Sequence, residues 1–415
     1  MNPSKTFSIS KHSVLAAFKA VKTNGGSAGI DHQSIENFEQ NLKDNLYKIW
    51  NRMSSGSYFP PAVKAVPIPK KSGGERILGI PTVSDRVAQM VVKLHFEPKV
   101  EPIFLPDSFG YRPGKSAIEA VGITRKRCWH YDWVLEFDIK GLFDNIDHEL
   151  MMKAARLHTS EAWILLYLER WLKAPLQNAD GSLTERTKGT PQGGVVSPVL
   201  SNLFLHYVFD VWMTRKFPKN PWCRYADDGL VHCKTKQQAE EILSSLRERF
   251  VECGLELHPL KTKIVYCKDQ NRKGDHDENK FDFLGFTFRR RGAIDKKKRR
   301  FASFQPGASD TALRAMCDKI RKLKLRNRAD MSIEQISKWF NPILRGWLNY
   351  YGSYYPSGLH RMLRCLNVAL VAWAMRKYKS LHRRTIRAGK FMERMSRSKP
   401  KLFAHWERGM FGSFA

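Results

Sequence analysis

Apolar positions recur every three or four residues over 12–50, and NGGSAGIDH (24–32) breaks that run with the Gly and Asn of a loop. Alternation replaces the helical period in YFPPAVKAVPIPKKSGGERILGIP (58–81), which predicts a hairpin with basic residues near a Gly-Gly turn. Mixed helices and loops lead to WVLEFDIKGLF (133–143), a buried strand carrying one acid, Asp138, just before it ends. Helical spacing returns over 149–172 and over VVSPVLSNLFLHYVFDVWMTR (195–215). CRYADDGLVHC (223–233) has apolar-biased stretches on either side of Asp227 and Asp228, so a second hairpin is predicted there. A helix over 235–252 and a short hairpin region over 255–288 follow.

After KKKRR (296–300) the pattern turns helical and basic to about 380 and then becomes a short basic tail, so 296–300 is the candidate domain boundary. Beyond it Ile336, Phe340, Ile343, Leu344, Trp347 and Tyr351 share one helical face, which is expected to be core. Pro342 is expected in a first helical turn or at a kink.

Composition narrows the class. A chain of 415 residues, 42% hydrophobic and 12% aromatic, is globular and long enough for two or three domains. It lacks an apolar run long enough to span a bilayer and an apolar N-terminal signal, so a cytoplasmic protein without a membrane partner is expected. Seven scattered cysteines with no C-x-x-C pair point to reduced thiols rather than a cysteine zinc site. The net charge of +31 is uneven: residues 287–415 hold 31 Lys and Arg against 7 Asp and Glu, or +24, leaving +7 for the rest. One-sided charge of that size fits a polyanionic partner better than a merely solubilising surface.

Adjacent acids such as Asp227 and Asp228 suit either an exposed turn or a site where a cation cancels their repulsion. Asp138 alone reads as a buried structural acid. Together, two strand-borne carboxylates would make a hard oxygen site of the kind Mg²⁺ prefers.

Ordered motifs bear on that choice. NGGSAGID (24–31), PIPKKSGGERILGIPTVSDRVAQ (67–89), DSFGYRPGKSA (107–117), FDIKGLFDNIDH (137–148), GTPQGGVVSPVLSN (189–202), RYADD (224–228), LELHPLKTKIV (255–265) with FDFLGF (281–286), and WFNPILRGWLNYYG (339–352) resemble, in order, the blocks of reverse transcriptases encoded by group II introns. The resemblance implies an α+β right-hand polymerase, with an antiparallel palm sheet, helical and hairpin fingers, and a helical thumb. Its expected partition is an N-terminal extension (1–55), fingers and palm (56–300), thumb or maturase domain (301–376) and basic C-terminal tail (377–415). The expected function is RNA-directed DNA synthesis together with binding of the intron RNA to assist splicing and mobility.

Roles follow from the same resemblance. Asp138 and Asp227 would ligate two Mg²⁺ ions, ~3.5–4 Å apart, with Asp228 as a weaker or outer ligand. Lys70 and Arg76 would clamp the triphosphate of a dNTP. Phe143 stands where an aromatic gate meets the sugar, although a core Phe at a strand end is the plain alternative. Gln192, with Gly193 and Gly194, would lie against the nascent base pair. Lys261 resembles a palm lysine, a proton donor to pyrophosphate or a local positive charge; His258 and Leu260 depart from the commoner residues around it. Arg112 is expected either on nucleotide or template, or as a structural hydrogen-bonding arginine.

Arg321, Lys322, Arg326, Arg383, Arg384 and Arg387 are candidates for phosphate contacts with RNA. The 39 residues after Arg376 contain no cysteine and no H-N-H-like array, so the short type without an endonuclease is expected. Expected partners are the intron RNA, an RNA template with a DNA primer, and dNTPs; the setting is bacterial-type cytoplasm, with nucleoid association during action on DNA. Rival readings are a domesticated reverse transcriptase with a host role such as phage defence, an RNA-binding splicing factor without polymerase activity, and an RNA-dependent RNA polymerase, which Phe143 disfavours.

Overall fold

A computed structural model describes residues 5–69, 73–294, 297–411 and 414. Lys70 lies outside the described residues. The chain forms two compact units, the first from residues up to Ser116, Leu135–Val231 and Lys236–Lys263, the second from Ala117–Val134, His232–Thr235 and Ile264 onward.

The first unit begins with helices Lys11–Asn24, Ile35–Gln40 and Leu42–Ser54, so the Gly-rich interruption is the loop the sequence predicts. Ser10 and Ser34 cap the first two through their side chains, each cap worth about 1 kcal/mol. The predicted hairpin forms from Val63–Pro69 and Glu75–Ile80 in antiparallel register, Ile68 opposite Arg76. Its inner strand also pairs in parallel with Leu176–Gln177. Helix Val83–Val100 is capped by Thr82 and mostly buried. Arg86 on it donates to the carbonyls of Gly25 (3.0 Å) and Ser27 (2.8 Å), tying down the loop after the first helix.

A four-stranded sheet carries the acids, in the order Trp222–Tyr225, Asp228–Cys233, Trp133–Asp138, Lys263–Tyr266. Phe137, Phe209 and Phe250 pack together as buried rings, 5.0–6.5 Å between centroids. Burying each such ring contributes roughly 1.5–3 kcal/mol. Two helices are less continuous than their patterns predict. The 149–172 stretch divides into His148–Arg156 and Ala162–Lys173. The 195–215 stretch runs as Ser197–Leu205, a π turn at His206–Asp210, and Val211–Lys216. Arg249 donates to the carbonyls of Tyr207 (3.4 Å) and Val208 (3.2 Å) within that wide turn.

In the second unit, Lys280–Phe283, Phe286–Ile294 and Arg300–Ala308 make an antiparallel sheet. The last two strands pair from Phe286 opposite Ala308 to Ile294 opposite Arg300, so the basic run ends at the start of a paired strand. Helices Asp310–Lys322, Ile333–Tyr351, His360–Lys377 and Thr385–Ser398 surround one apolar core that includes Ile336, Phe340, Leu344, Trp373 and Trp406. Ile343, Trp347 and Tyr351 pack against it half-buried, so the predicted stripe is indeed core-facing. Pro342 sits inside its helix rather than in the first turn. Among the described residues after 376, Ala388, Met392, Phe403 and Phe414 join the same core.

Candidate active site

Asp138 is the last residue of its strand, and backbone hydrogen bonds fix what lies beside it. Ile139 donates its N–H to the Asp227 carbonyl (3.2 Å), and His258 donates to the Asp138 carbonyl (2.8 Å). Thus the strand end meets both the Asp227 turn and the segment leading to Lys261. Lys261 Nζ lies 2.8 Å from Asp138 Oδ2.

The turn between Tyr225 and Asp228 contains Ala226, held at φ 56°. That left-handed backbone is disfavoured for alanine and persists because its surroundings fix it. Gly110 lies so close that a Cβ there would stand 2.4 Å from the Ala226 nitrogen. Arg224, fully buried, forms two 2.7 Å hydrogen bonds to the Asp210 carboxylate and others to Ser108 Oγ (2.8 Å), Asn202 Oδ1 (3.2 Å) and the Ala226 carbonyl (3.2 Å). Asn202 in turn donates to the Gly110 carbonyl (2.7 Å). On the far side of the turn, a Cβ on Gly229 would stand 2.0 Å from the Phe137 ring. Gly229 is next to Asp228, and Phe137 is next to Asp138.

Electrostatics show the cost of gathering these acids. Burial, then the negative charge of Asp138, holds Asp227 above the ordinary carboxyl range. Burial, then Asp227 and Asp138, pushes Asp228 up to about 7. Burial works to lower Lys261, but its hydrogen bond to Asp138 and the charges of all three acids raise it on balance. The cluster thus carries surplus negative charge that one half-exposed ammonium only partly offsets. Hard carboxylate oxygens in a site short of positive charge suit a divalent cation. Among the described residues, no three His, Cys, Asp or Glu side chains already surround a common point.

Phe143 lies in the short helix Leu142–Asn145, started by Gly141 at φ 59°. It is half-buried, and its ring meets Tyr111 edge-on at 6.3 Å. Tyr111 is raised by burial and then by Asp227, while Arg76 pulls it down. Arg76, Tyr111, Phe143 and the acids therefore share one neighbourhood. The 189–194 loop docks beside them: Thr190 donates to the Phe143 carbonyl (2.6 Å), and Gln192 Nε2 to Asp144 Oδ2 (3.3 Å). Gly193, at φ 122°, has the Gly79 carbonyl 2.5 Å from where its Cβ would be, so its missing side chain accommodates the hairpin strand.

Arg112 departs from its expected contact with nucleotide or template. It pairs with Glu101 (2.8 Å) and donates to the carbonyls of Leu105 (2.7 Å) and Ser108 (2.8 Å), with its side chain 6% exposed. The structural alternative describes it. Tyr111, one position earlier in the same motif, is the side chain turned to the site. Sequence reasoning passed over Tyr111, Arg224, Asp210 and Asn202. An arginine inside an apolar strand was the available signal, because a buried guanidinium requires a buried acid.

Arg321, Lys322 and Arg326 are exposed in the second unit, Arg321 beside Asp318 at 2.7 Å. Arg383, Arg384 and Arg387 line a cleft of about 1030 Å³ together with Lys390, Arg394 and Arg397. No helix among the described residues is long and apolar enough to cross a membrane.

Comparison with known proteins agrees with this geometry. Residues 68–288 match the family described as reverse transcriptase (RNA-dependent DNA polymerase), and 313–391 match the group II intron, maturase-specific domain. Protein YkfC of Escherichia coli (strain K12) is 31% identical over 283 residues, 58% of this chain and 73% of that protein. Group II intron-encoded protein LtrA of Lactococcus lactis is 34% identical over 194 residues, 46% of this chain and 32% of LtrA. An uncharacterized 91 kDa protein in the cob intron of Schizosaccharomyces pombe is 26% identical across 85% of this chain and 51% of its own length. The chain thus spans most of the first relative, about a third of the second and half of the third.

Proposed function

Because the chain belongs to the reverse transcriptases that carry a group II intron maturase domain, we propose that it extends a DNA primer on an RNA template and holds intron RNA for splicing and mobility. The observation that carries the polymerase reading is the meeting of Asp138 with Asp227 and Asp228, from two distant points in the chain, beside Lys261. Asp138 and Asp227 would hold two Mg²⁺ ions and Asp228 would support them. Bound there, the metal would lower the pKa of the primer 3′-hydroxyl and balance charge on the departing pyrophosphate.

The chain's own residues do the rest. Arg76, together with Lys70, binds the dNTP triphosphate by charge-assisted hydrogen bonds. Phe143, braced edge-on by Tyr111, closes the space a ribose 2′-hydroxyl would need. Gln192 orients the sugar and base from the loop behind Phe143, with Gly193 beside the template strand. Lys261 pairs with Asp138 and supplies positive charge near the reacting phosphate. Residues 56–300 serve as fingers and palm, after an N-terminal extension, and 301–376 as thumb. The basic cleft around Arg383, Arg384 and Arg387, with Arg321, Lys322 and Arg326, grips RNA phosphates.

Asp227→Ala tests the reading. Primer extension on an RNA template should be lost while circular dichroism stays that of the folded protein. Extension at the wild-type rate by that variant would remove the carboxylate site from the mechanism.

A further inference from the structure

Helix Val83–Val100 buries an acid whose hydrogen bonds end at the loop of the candidate site. Asp85, 1% exposed, accepts from Tyr58 Oη and Trp171 Nε1 at Oδ1, both 2.8 Å, and from Gln89 Nε2 at Oδ2, 2.9 Å. Gln89, 2% exposed, uses its other end, Oε1, to accept from the backbone N–H groups of Val195 (2.7 Å) and Val196 (3.3 Å). Those amides follow directly on Gln192, Gly193 and Gly194. The loop's other edge is fixed by the 2.6 Å bond from Thr190 to the Phe143 carbonyl and by Gly79, which donates to the Gln192 carbonyl at 2.8 Å.

An amide side chain at 89 is required by polarity. Its oxygen must face two backbone donors and its nitrogen must face a carboxylate, so only one orientation satisfies every partner. Were it reversed, donor would face donor at Val195. Asp85 thereby fixes the orientation of Gln89, and Gln89 fixes the start of the helix that follows the loop. Tyr58 and Trp171 hold Asp85 from the side opposite Gln89, so the carboxylate is fixed before it reaches the loop.

We propose that Asp85 and Gln89 are positioning residues for nucleotide selection, setting the Gln192–Gly194 loop against Phe143 through the Val195 and Val196 amides. The inference rests on the polymerase reading and adds to it two side chains that touch neither substrate nor metal.

Exchanging the two polar ends gives the test. In Gln89→Glu, two carboxylates face each other; in Asp85→Asn, two amide nitrogens face each other. The double variant Asp85→Asn/Gln89→Glu restores each pairing. Its new amide at position 85 still accepts from Tyr58 and Trp171 and now donates to the new carboxylate at position 89, which still accepts from Val195. The measurements are amide hydrogen exchange over 190–197, KM and kcat for dNTP, the dNTP-to-rNTP ratio of kcat/KM, and affinity for template–primer. Each single variant should exchange faster in the loop and lose about tenfold in kcat/KM, mainly through KM. Template–primer affinity should be unchanged, and the double variant should return exchange and KM to within about threefold of wild type. Loop exchange that matches wild type in both single variants would overturn the proposal, as would a double variant that regains thermal stability but not KM. Should wild-type protein fail to extend a primer, the polymerase reading fails by itself; exchange over 190–197 still decides whether this pair positions the loop.

Discussion

Arg224→Met removes the guanidinium that pairs with the Asp210 carboxylate while keeping an unbranched side chain. Both side chains of the pair are 0% exposed and joined by two 2.7 Å hydrogen bonds. Loss of one partner leaves the other charge buried without compensation, a cost of about 3–5 kcal/mol. Ser108, Asn202 and the Ala226 carbonyl lose a donor as well, but relaxation of the neighbouring turn moderates that part. Against a total stability of about 5–15 kcal/mol, the single variant should be largely unfolded at moderate urea concentrations. Arg224→Met/Asp210→Leu removes both charges and should recover most of the loss, because the pair's desolvation cost goes with it. Urea unfolding by circular dichroism measures both. Primer extension adds a second discrimination: the double variant should fold yet stay impaired, since Ala226 at φ 56° lacks its clamp. A single variant within about 1 kcal/mol of wild type would refute the argument, as would a double variant no more stable than the single.

Three further outcomes are expected. Phe143→Ala should raise ribonucleotide incorporation, read as a fall in the dNTP-to-rNTP ratio of kcat/KM; an unchanged ratio would place the gate elsewhere. Replacing Arg383, Arg384 and Arg387 by Ala should weaken RNA binding and make its salt dependence shallower by about one slope unit per lost phosphate contact, with extension on a short template retained; equal losses of splicing and extension would mean a general grip or a folding role. For Asp228, the folded protein holds the proton more tightly than the unfolded chain does, so its contribution to stability is present at low pH and is lost as pH rises from 3.8 to about 7. In EDTA the unfolding midpoint should therefore fall across that window in wild type and less so in Asp228→Asn, and Mg²⁺ should offset the fall at its upper end; equal slopes would exclude Asp228 as the titrating group.

Local pattern carried much of the fold. Alternation located the hairpin of Val63–Pro69 and Glu75–Ile80, and helical spacing located the stripe from Ile336 to Tyr351, because those periods reflect which side of an element meets the core. Breaks inside elements were less visible. Nothing in the apolar spacing of 195–215 marks the π turn, whose carbonyls are met by Arg249 from a distant helix. The pairing of Phe286–Ile294 with Arg300–Ala308 through nine positions was likewise hidden behind the basic run at 296–300. In the site, the acids were legible as motif residues on strand ends. Arginine was not, since a letter gives charge and not burial: Arg112 is consumed by its own loop, whereas Arg224 supports the turn that carries Asp227. Lys261 stands beside Asp138 despite the unusual residues around it, because the backbone bond from His258 to Asp138 fixes that segment whatever its neighbouring side chains are.

The seat of the Phe137 ring over Gly229 bears on how far this sequence can drift. A methyl at 229 would meet the ring at 2.0 Å, and ordinary contact begins at 3.4 Å, so the ring, or the strand that carries it, would have to give by about 1.4 Å. The two strands at this contact carry Asp138 and Asp228, and a displacement of about 1 Å at reacting groups costs on the order of a hundredfold in rate. The width of one aromatic ring therefore acts as the gauge for the spacing between acids. A side chain at 229 therefore calls for a smaller one at 137.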